Sequence, residues 1–312
     1  MRHTVPIVFA FDNNLIMPAG VALYSLLRNA REDTFYDIFI LHSAKSDLDR
    51  SALKQLEDRF DNFRIQYRDV GDTFDGAFQI RGINTVTYYR LLIPQLIPEY
   101  DTILYSDVDV IFQEDLRSLY ETTDLSDCYI AGVNSLAHLH PDSDTYYASQ
   151  LKLDSRHIVY AGNIILNAKK IREDGLTAQF LKEAENNYKF QDLDILNIVC
   201  RGRIKEIGMS FCATNKIAEL MATSRAELLN YWTEQEIEHT IRSGLIHYNG
   251  IKPWKGICIN HDIWWEYYRQ SPYFDYNFYY DYYLRRMNEL DGLSLSKRLK
   301  VLFRFFTVGQ TK

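Results

Sequence analysis

The stretch TILYSDVDVIF, residues 102–112, decides the fold of this chain. Its apolar first half predicts a strand that is buried on both faces of a parallel sheet. Asp107 and Asp109 follow. Because they are two residues apart, their carboxylates project to one side of an extended chain while Val108 points away. In open α/β sheets the ligand crevice lies beyond the carboxyl ends of the strands. The sequence therefore predicts two carboxylates where a divalent cation can bridge protein and substrate phosphates.

The same pair of acids has a simpler explanation that the three residues alone do not exclude. Acids after a strand are commonly solvated loop residues or helix caps. A calcium-binding EF-hand loop is disfavoured, because that loop needs glycine at its sixth position and this chain has Phe112 there. The choice between a metal site and a solvated loop has to come from the rest of the sequence.

Length and composition narrow the classes of function. The chain has 312 residues, 46% of them hydrophobic, which is enough for one large domain or two. Its net charge of −7 argues against nucleic-acid binding, which prefers a basic surface. The four cysteines form no C-x-x-C pair and are expected to be reduced thiols of a cytoplasmic protein. Neither a signal-peptide h-region nor an apolar run of the ~18 residues of a membrane span is found.

Alternating strand and helix signals open the chain. Strands are predicted over residues 5–10, 36–41 and 63–67, with helices beginning near Pro18 and Ser46 between them. This order is typical of a doubly wound α/β sheet that binds a nucleotide. The first strand is not followed by G-x-G-x-x-G, and the chain has no P-loop. A dinucleotide or ATP phosphate cradle is therefore not supported.

Further elements are predicted downstream: a helix over residues 84–93, strands over 129–133, 159–167 and 245–248, and a helix that begins near residue 190. Asp192 and Asp194 fall in the first turn of that last helix. Acids there favour the helix dipole, which gives both residues a purely structural explanation.

The last sixty residues differ in composition from the rest. Between residues 263 and 283, 12 of 21 are aromatic, which favours packing over ligand binding. We predict a main domain over residues 1–254 and a small helical, aromatic and basic extension over residues 255–312. Basic and large apolar residues interleave over 293–312. This end fits either peripheral contact with an anionic membrane or a docked terminal helix.

Several segments, taken together, resemble one family. They are VFAFDNN at 8–14, TYYRL at 87–91, LYSDVDV at 104–110, HYNGIKPW at 247–254 and, more weakly, YAGNI at 160–164 and QDLDILN at 191–197. In this order and spacing they resemble the retaining nucleotide-sugar glycosyltransferases of family eight. That family includes lipopolysaccharide galactosyl- and glucosyltransferases and glycogenin. The resemblance implies a Rossmann-like, doubly wound mixed sheet of the GT-A type.

The resemblance also implies roles for individual residues. Asp107 and Asp109 match the metal-binding acids, and His247 matches a third ligand to Mn²⁺, with Mg²⁺ as the alternative. Carboxylate and imidazole ligands suit manganese. Asp192 and Arg90 match catalytic positions beside the donor sugar. The remaining positions implied to bind substrate are Ala10, Asp12, Asn14, Val108, Ala161, Gly162, Gly250 and Lys252.

Two departures from the family pattern bear on mechanism and on nucleotide binding. Leu193 stands where relatives carry a glutamine after the acid, and leucine cannot attack a sugar. Two routes stay open: a same-face reaction through an oxocarbenium-like state, and a double displacement in which Asp192 is the nucleophile. Leu15 stands where relatives often place a tyrosine that stacks on uracil, so base contacts are expected to come from elsewhere.

The sequence therefore predicts a metal-dependent, retaining hexosyltransferase. UDP-glucose or UDP-galactose is the expected donor, and a glycan, glycolipid or glycoprotein is the expected acceptor. The expected location is the cytoplasm, where the protein could attach peripherally to the inner face of the plasma membrane. The alternative function is a non-catalytic sugar-nucleotide or glycan-binding protein with the same fold. A nucleotidyltransferase is disfavoured, because FDNN at 11–14 is not a glycine-rich, basic phosphate loop.

Overall fold

The computed structural model describes residues 2–46, 48–80 and 85–308. Within these ranges the strands are β1 (His3–Ala10), β2 (Thr34–His42), β3 (Phe63–Asp69), β4 (Thr102–Ser106), β5 (Val110–Ile111), β6 (Ile130–Asn134), β7 (Val159–Asn167), β8 (Ile204–Glu206), β9 (Ala213–Thr214) and β10 (Ile246–His247).

The α-helices of the same ranges are α1 (Ile16–Arg28), α2 (Ile93–Leu96), α3 (Arg117–Thr122), α4 (Pro141–Tyr146), α5 (Ala168–Glu173), α6 (Leu176–Glu183), α7 (Asp192–Val199), α8 (Asn215–Thr223), α9 (Arg225–Leu228), α10 (Glu234–Ser243), α11 (His261–Gln270), α12 (Tyr276–Asp291) and α13 (Leu295–Val308).

Seven strands form one mixed sheet in the order β3-β2-β1-β4-β7-β6-β8. β1 is parallel to both of its neighbours, β2 and β4, whereas β7 is antiparallel to β4 and β6. The strand order reverses at β1, and a reversal of this kind opens a crevice at the carboxyl ends of the central strands. The predicted doubly wound α/β sheet of mixed direction is confirmed.

The central strands are buried on both faces, as their continuous apolar runs predict. In β1, Ile7 and Phe9 belong to the hydrophobic cluster on the α1 side of the sheet, whereas Val8 belongs to the cluster on the opposite side. Successive side chains of a strand point to opposite faces, so both clusters are anchored on the same short segment. The core therefore holds the carboxyl ends of β1 and β4 in fixed positions.

The stretch 102–112 is not one strand, and the extended geometry expected for Asp107 to Asp109 is not kept. β4 ends at Ser106, the chain bends at Val108 and Asp109, and β5 joins a second sheet of order β5-β10-β9. The apolar pattern runs through both sheets and does not mark the change. In the second sheet Val110 is paired with His247, which brings Asp109 beside β10.

Two predicted helices take a tighter form. Near Ser46 the chain makes short 3₁₀ turns, of which Ala52–Leu56 buries Leu53 and Leu56. The predicted helix over 84–93 is a 3₁₀ helix, Thr85–Leu92, that runs into α2, while residue 84 lies outside the described residues. The apolar spacing of these segments fits both kinds of helix, since i and i+3 share a side in each.

The aromatic segment after residue 255 packs on α1 and on the second sheet. Trp264, Trp265 and Tyr268 form one cluster with Val21 and Ile111. These aromatic side chains cover a surface of the second sheet that solvent would otherwise reach. The prediction that these aromatics pack rather than bind ligand agrees with the burial of Trp264, Trp265 and Tyr268, whereas Tyr276 and Tyr280 are exposed.

A glycine on α1 allows the aromatic segment to approach this helix closely. The Tyr273 ring lies so close to Gly20 that an added Cβ there would be 2.3 Å from the ring. Asn29 Nδ2 donates a hydrogen bond to the Tyr267 hydroxyl at 2.9 Å.

The last helix, α13, exposes four large apolar side chains. Leu295, Leu299, Leu302 and Phe303 are all more than half exposed. Across the described ranges, no helix combines the length and the apolarity needed to span a membrane. Residues 309–312 of the predicted basic end lie outside the described residues.

Candidate functional site

Three side chains that can ligate a metal converge beyond the carboxyl end of β4. Asp107, Asp109 and His247 each offer one ligand atom, and these atoms lie within 4.8 Å of one another. His247 Nε2 is 3.2 Å from Asp109 Oδ1 and 3.7 Å from Asp107 Oδ2. In the described part of the chain this is the one such group of three or more. The structure therefore brings together the three residues predicted to be metal ligands.

Lys252 places a positive charge beside Asp109. Its Nζ donates to Asp109 Oδ2 and, at 2.7 Å, to the Tyr248 carbonyl oxygen. Burial alone would raise the pKa of Asp109, but its contacts with His247 and Lys252 outweigh burial and hold that pKa below its usual range. Asp109 is therefore an ionised carboxylate, which is the form that ligates a cation.

Arg90 links the metal-ligating group to Asp192. Its side chain is 3% exposed; Nη2 donates to Asp107 Oδ1 at 2.9 Å, and Nε lies 3.2 Å from Asp192 Oδ2. Nη1 donates to the Ala161 carbonyl oxygen, and the guanidinium lies over the Tyr105 ring at 4.2 Å. Burial opposes the charge, but Asp107 and Asp192 hold the pKa of Arg90 above its ordinary value. Arg90 is thus a buried cation between two carboxylates.

Asp192 begins α7, directly after a residue with an unusual backbone. Gln191 has φ 51° and ψ −121°, a region that costs a non-glycine residue about 1–3 kcal/mol. Its side chain is buried, and Nε2 donates to the Phe78 carbonyl oxygen at 2.9 Å, which anchors the turn. The turn directs Asp192 at Arg90. Asp194, by contrast, accepts a hydrogen bond from the Tyr146 hydroxyl at 2.8 Å. This contact gives Asp194 a structural role, in agreement with its position in the first turn of α7.

Gly162 lies where a side chain would collide with the candidate metal ligands. A Cβ added there would lie 2.3 Å from His247 Cε1 and 2.8 Å from Asp107 Oδ2. The Gly162 carbonyl oxygen also accepts from the Asp107 N–H at 2.7 Å, which fixes the first acid to β7. The resemblance implies that Gly162 contacts substrate, and the groups that approach it in the structure are two of the candidate metal ligands.

The residues predicted at the nucleotide end lie after β1, next to β4 in the sheet. Ala10 is buried at the end of β1. Asp12 Oδ1 accepts from the Asn14 N–H at 3.0 Å, and Asp12 Oδ2 accepts from Asn14 Nδ2 at 3.3 Å. Because the carboxyl ends of parallel neighbours meet at one edge, this turn and Asp107 border the same crevice.

Two other predicted substrate contacts have structural surroundings of their own. The Val108 side chain is 3% exposed and packs in the hydrophobic core, so only its backbone is left for a ligand. Gly250 lies in the exposed loop after β10. A Cβ added there would be 2.6 Å from Asn215 Nδ2, so the glycine lets this loop pass the start of α8.

Four residues of the site were missed by sequence reasoning. Tyr105 donates from its hydroxyl to Asp107 Oδ1 at 2.8 Å. Its position two residues before Asp107, on the same face of the strand, was a usable signal. The ring of Tyr160 packs edge-on against His247, Cys212 Sγ lies 3.5 Å from His247 Nδ1, and Gln191 forms the turn before Asp192. Tertiary packing sets the contacts of Tyr160 and Cys212, and the local sequence carries no signal of them.

Comparison with known proteins shows which family this chain matches and which proteins it is similar to. The sequence model of the family described as Glycosyl transferase family 8 matches residues 6–258. A protein of Haemophilus influenzae named as a glycosyltransferase is 22% identical, over 67% of this chain and 63% of its own length. Glycosyltransferase GlyB of Streptococcus pneumoniae is 24% identical, over 60% of this chain and 43% of its own length. The chain thus spans less than two thirds of these two curated relatives.

A solved structure supports the same comparison. The structure of the galactosyltransferase LgtC in complex with donor and acceptor sugar analogues matches with a TM-score of 0.68 at 21% identity. The match covers 88% of this chain and 98% of that chain. The fold is therefore an α/β fold whose mixed central sheet resembles that of GT-A glycosyltransferases.

Replacing Gly162 by alanine is expected to weaken binding of a divalent cation. The added Cβ would displace His247 and Asp107, two of the three candidate ligands. We expect the Kd for Mn²⁺, measured by electron paramagnetic resonance, to rise by about 10- to 100-fold. Gly76→Ala is the matched control, because a Cβ there has nothing within 4 Å. An unchanged Kd in Gly162→Ala would contradict the assignment of this glycine.

The pH dependence of stability is expected to report on Asp192. Burial raises the pKa of Asp192 from 3.8 to about 6; Arg90 opposes the rise and the charge of Asp107 adds to it. The folded state then binds more protons than the unfolded state between about pH 4 and pH 6, so stability falls as pH rises through this window. Asp192→Asn cannot ionise and escapes this loss.

Chemical denaturation of metal-free protein at pH 4 and pH 7 tests this expectation. Relative to wild type, Asp192→Asn should gain about 2–3 kcal/mol in free energy of unfolding between the two pH values. Asp154 has its pKa lowered to about 2, mainly by its hydrogen bond with Arg156, so Asp154→Asn should show no such gain. A difference between wild type and Asp192→Asn that does not change with pH would refute the raised pKa.

Proposed function

Because the chain belongs to glycosyl transferase family 8, we propose that it is a metal-dependent, retaining hexosyltransferase that uses a UDP-sugar. The observation that carries the proposal is the convergence of Asp107, Asp109 and His247 at the mouth of the crevice. Two carboxylates and an imidazole are a donor set that suits Mn²⁺, with Mg²⁺ as the alternative. Gly162 carries no side chain, and this lets His247 and Asp107 approach one another.

The bound cation would neutralise charge on the diphosphate as the nucleotide leaves. Asp107, Asp109 and His247 would hold it. Lys252 is the second source of positive charge. It is 28% exposed and pairs with Asp109, so its ammonium group can turn toward a diphosphate. Gly250, two residues earlier, lets the backbone of this loop approach the phosphates closely.

Asp192 and Arg90 are proposed to act on the donor sugar. The Leu193 side chain packs against apolar residues, so this chain has no polar group at that position. Asp192 is the remaining candidate nucleophile, but its carboxylate faces the Arg90 guanidinium at 3.2 Å. An ion pair of this kind lowers the availability of the carboxylate for attack. It therefore favours a role for Asp192 in holding the sugar and stabilising positive charge in a same-face reaction.

UDP-glucose and UDP-galactose are the proposed donors, and a glycan, lipo-oligosaccharide or glycoprotein is the proposed acceptor. The likeness to LgtC, a galactosyltransferase solved with sugar analogues, supports a hexose donor. The turn formed by Ala10, Asp12 and Asn14 is proposed to bind the uracil base, with Asp12 accepting from the imide N–H. Residues 1–254 are proposed to be the nucleotide-sugar-binding catalytic domain, with residues 255–312 as its extension.

The exposed end of this extension is proposed to contact an anionic membrane at its cytoplasmic face. In α13 the exposed apolar residues recur at the spacing of one helical face: Leu295, Leu299, Leu302 and Phe303. Exposed Lys297, Arg298 and Lys300 lie between them. An apolar stripe flanked by basic side chains suits the boundary between anionic headgroups and acyl chains.

UDP release from a panel of UDP-sugars, with water as the acceptor, tests the proposed activity. Wild-type protein is expected to hydrolyse one UDP-hexose only when Mn²⁺ is added. Asp109→Asn removes the ligand charge and should lower Mn²⁺-dependent release by about 100-fold or more. Asp101→Asn, an exposed acid at the other end of β4, is the control. Undiminished release by Asp109→Asn would refute the metal assignment, and Mn²⁺-dependent UDP binding without any turnover would favour a binding protein.

Sedimentation with lipid vesicles tests the proposed membrane contact. Full-length protein should bind vesicles that contain phosphatidylglycerol at low salt, with binding weakened by salt because each basic residue contributes ~1 kcal/mol near an anionic surface. Deletion of residues 293–312 should abolish this binding and leave UDP-sugar hydrolysis intact. Equal sedimentation of both proteins at low salt would rule out this contact.

A further inference from the structure

Cys212 lies behind His247, on the ring edge opposite the two acids. Its Sγ is 3.5 Å from His247 Nδ1, whereas Nε2 of the same ring is 3.2 Å from Asp109 Oδ1. Cys212 is fully buried and His247 is 1% exposed. Among the described residues, no other hydrogen-bond partner of Nδ1 is found. The Cys212 thiol is therefore the group that can determine whether His247 Nδ1 carries a proton.

The two nitrogens of a neutral imidazole have different roles. One carries a proton and the other a lone pair, and the hydrogen bond made by the first determines which tautomer is present. A ring that ligates a cation through Nε2 carries its proton on Nδ1. A buried N–H needs an acceptor, because leaving it unsatisfied forfeits the hydrogen bond it made with water. Cys212 Sγ is the acceptor within reach.

We propose that Cys212 is a positioning residue that holds His247 with its proton on Nδ1, so that the Nε2 lone pair faces the divalent cation. The inference rests on the proposed function, since it takes the metal site at Asp107, Asp109 and His247 as given. Cys212 does not touch the metal or the substrate; it acts through the orientation and tautomer of His247.

The fold fixes Cys212 and His247 relative to one another through backbone pairing. Cys212 directly precedes β9, and β9 is parallel to β10 with Thr214 paired to His247. The Ala213 N–H donates to the Leu245 carbonyl oxygen at 2.8 Å, which locks the start of this pairing. The thiol and the imidazole thus meet because of strand register, although they are 35 residues apart.

A thiol suits this position better than the carboxylate that often supports a metal-binding histidine. Asp107 and Asp109 already place two negative charges next to the ring. A third buried anion would repel both and would carry its own desolvation cost. Cys212 is fully buried, and a thiol in this place adds no charge beside the two acids. A neutral sulfur accepts a hydrogen bond without adding charge.

Titration of metal-free protein with Mn²⁺, followed by electron paramagnetic resonance without any nucleotide, tests the inference. Cys212→Val fills similar volume but accepts no hydrogen bond, and its Kd should rise about 10- to 100-fold. Cys212→Ser keeps an acceptor and should stay within about threefold of wild type. Cys200→Ala is the matched control: Cys200 is also fully buried, but in the cluster on the opposite side of the sheet, and its loss should leave the Kd unchanged.

The outcomes separate this inference from the proposed function. Wild-type affinity in Cys212→Val, with normal folding by circular dichroism, would overturn the role of Cys212 while the metal site stands. Equal weakening in Cys212→Val and Cys212→Ser would also overturn it, because the effect would then follow packing rather than the acceptor. Absence of Mn²⁺ binding by wild-type protein would overturn the metal site itself and the inference with it. If Cys212→Val does not fold, Cys212→Ala provides the same comparison with Cys212→Ser.

Discussion

The pairing of the buried Arg90 guanidinium with two carboxylates is the interaction on which the rest of the site depends. The Arg90 side chain is 3% exposed and stands between Asp107 and Asp192, two carboxylates that would otherwise repel one another. Removing one member of a buried ion pair leaves an uncompensated charge, so the three groups hold one another in place before any ligand arrives. One acid belongs to the metal-ligating group and the other begins α7. Arg90 thus links the candidate metal ligands to Asp192 with a fixed geometry.

The second constraint is the change of sheet between Ser106 and Val110. If the chain had continued as one strand, Asp109 would have stayed in the large sheet, away from β10. The bend instead pairs Val110 with His247, and the absence of a side chain at Gly162 lets the ring approach Asp107. Backbone pairing and close packing, rather than flexible side chains, therefore bring the candidate ligands together. Rigid support of this kind is what a functional site requires.

The sequence was informative where the signal is local and uninformative where tertiary structure decides. The sheet could be predicted because β1, β4 and β7 are apolar runs, and candidate site residues could be named because short motifs resemble a family. The bend at Asp109 could not be predicted, since apolar residues continue beyond it in β5. The 3₁₀ form of Thr85–Leu92 has the same side-chain spacing as an α-helix. Contacts such as that of Cys212 with His247 follow from strand register, which no local pattern encodes.

The measurement that tests the central claim most directly is the location of the metal. Crystals of the full chain soaked with Mn²⁺ and UDP would be examined by anomalous diffraction at a wavelength where manganese scatters strongly. The account predicts one strong peak ligated by Asp107 or Asp109 oxygens, or both, and by His247 Nε2, with the diphosphate on its open side. A UDP molecule bound in the crevice with no manganese at these residues, or with manganese ligated elsewhere, would contradict it.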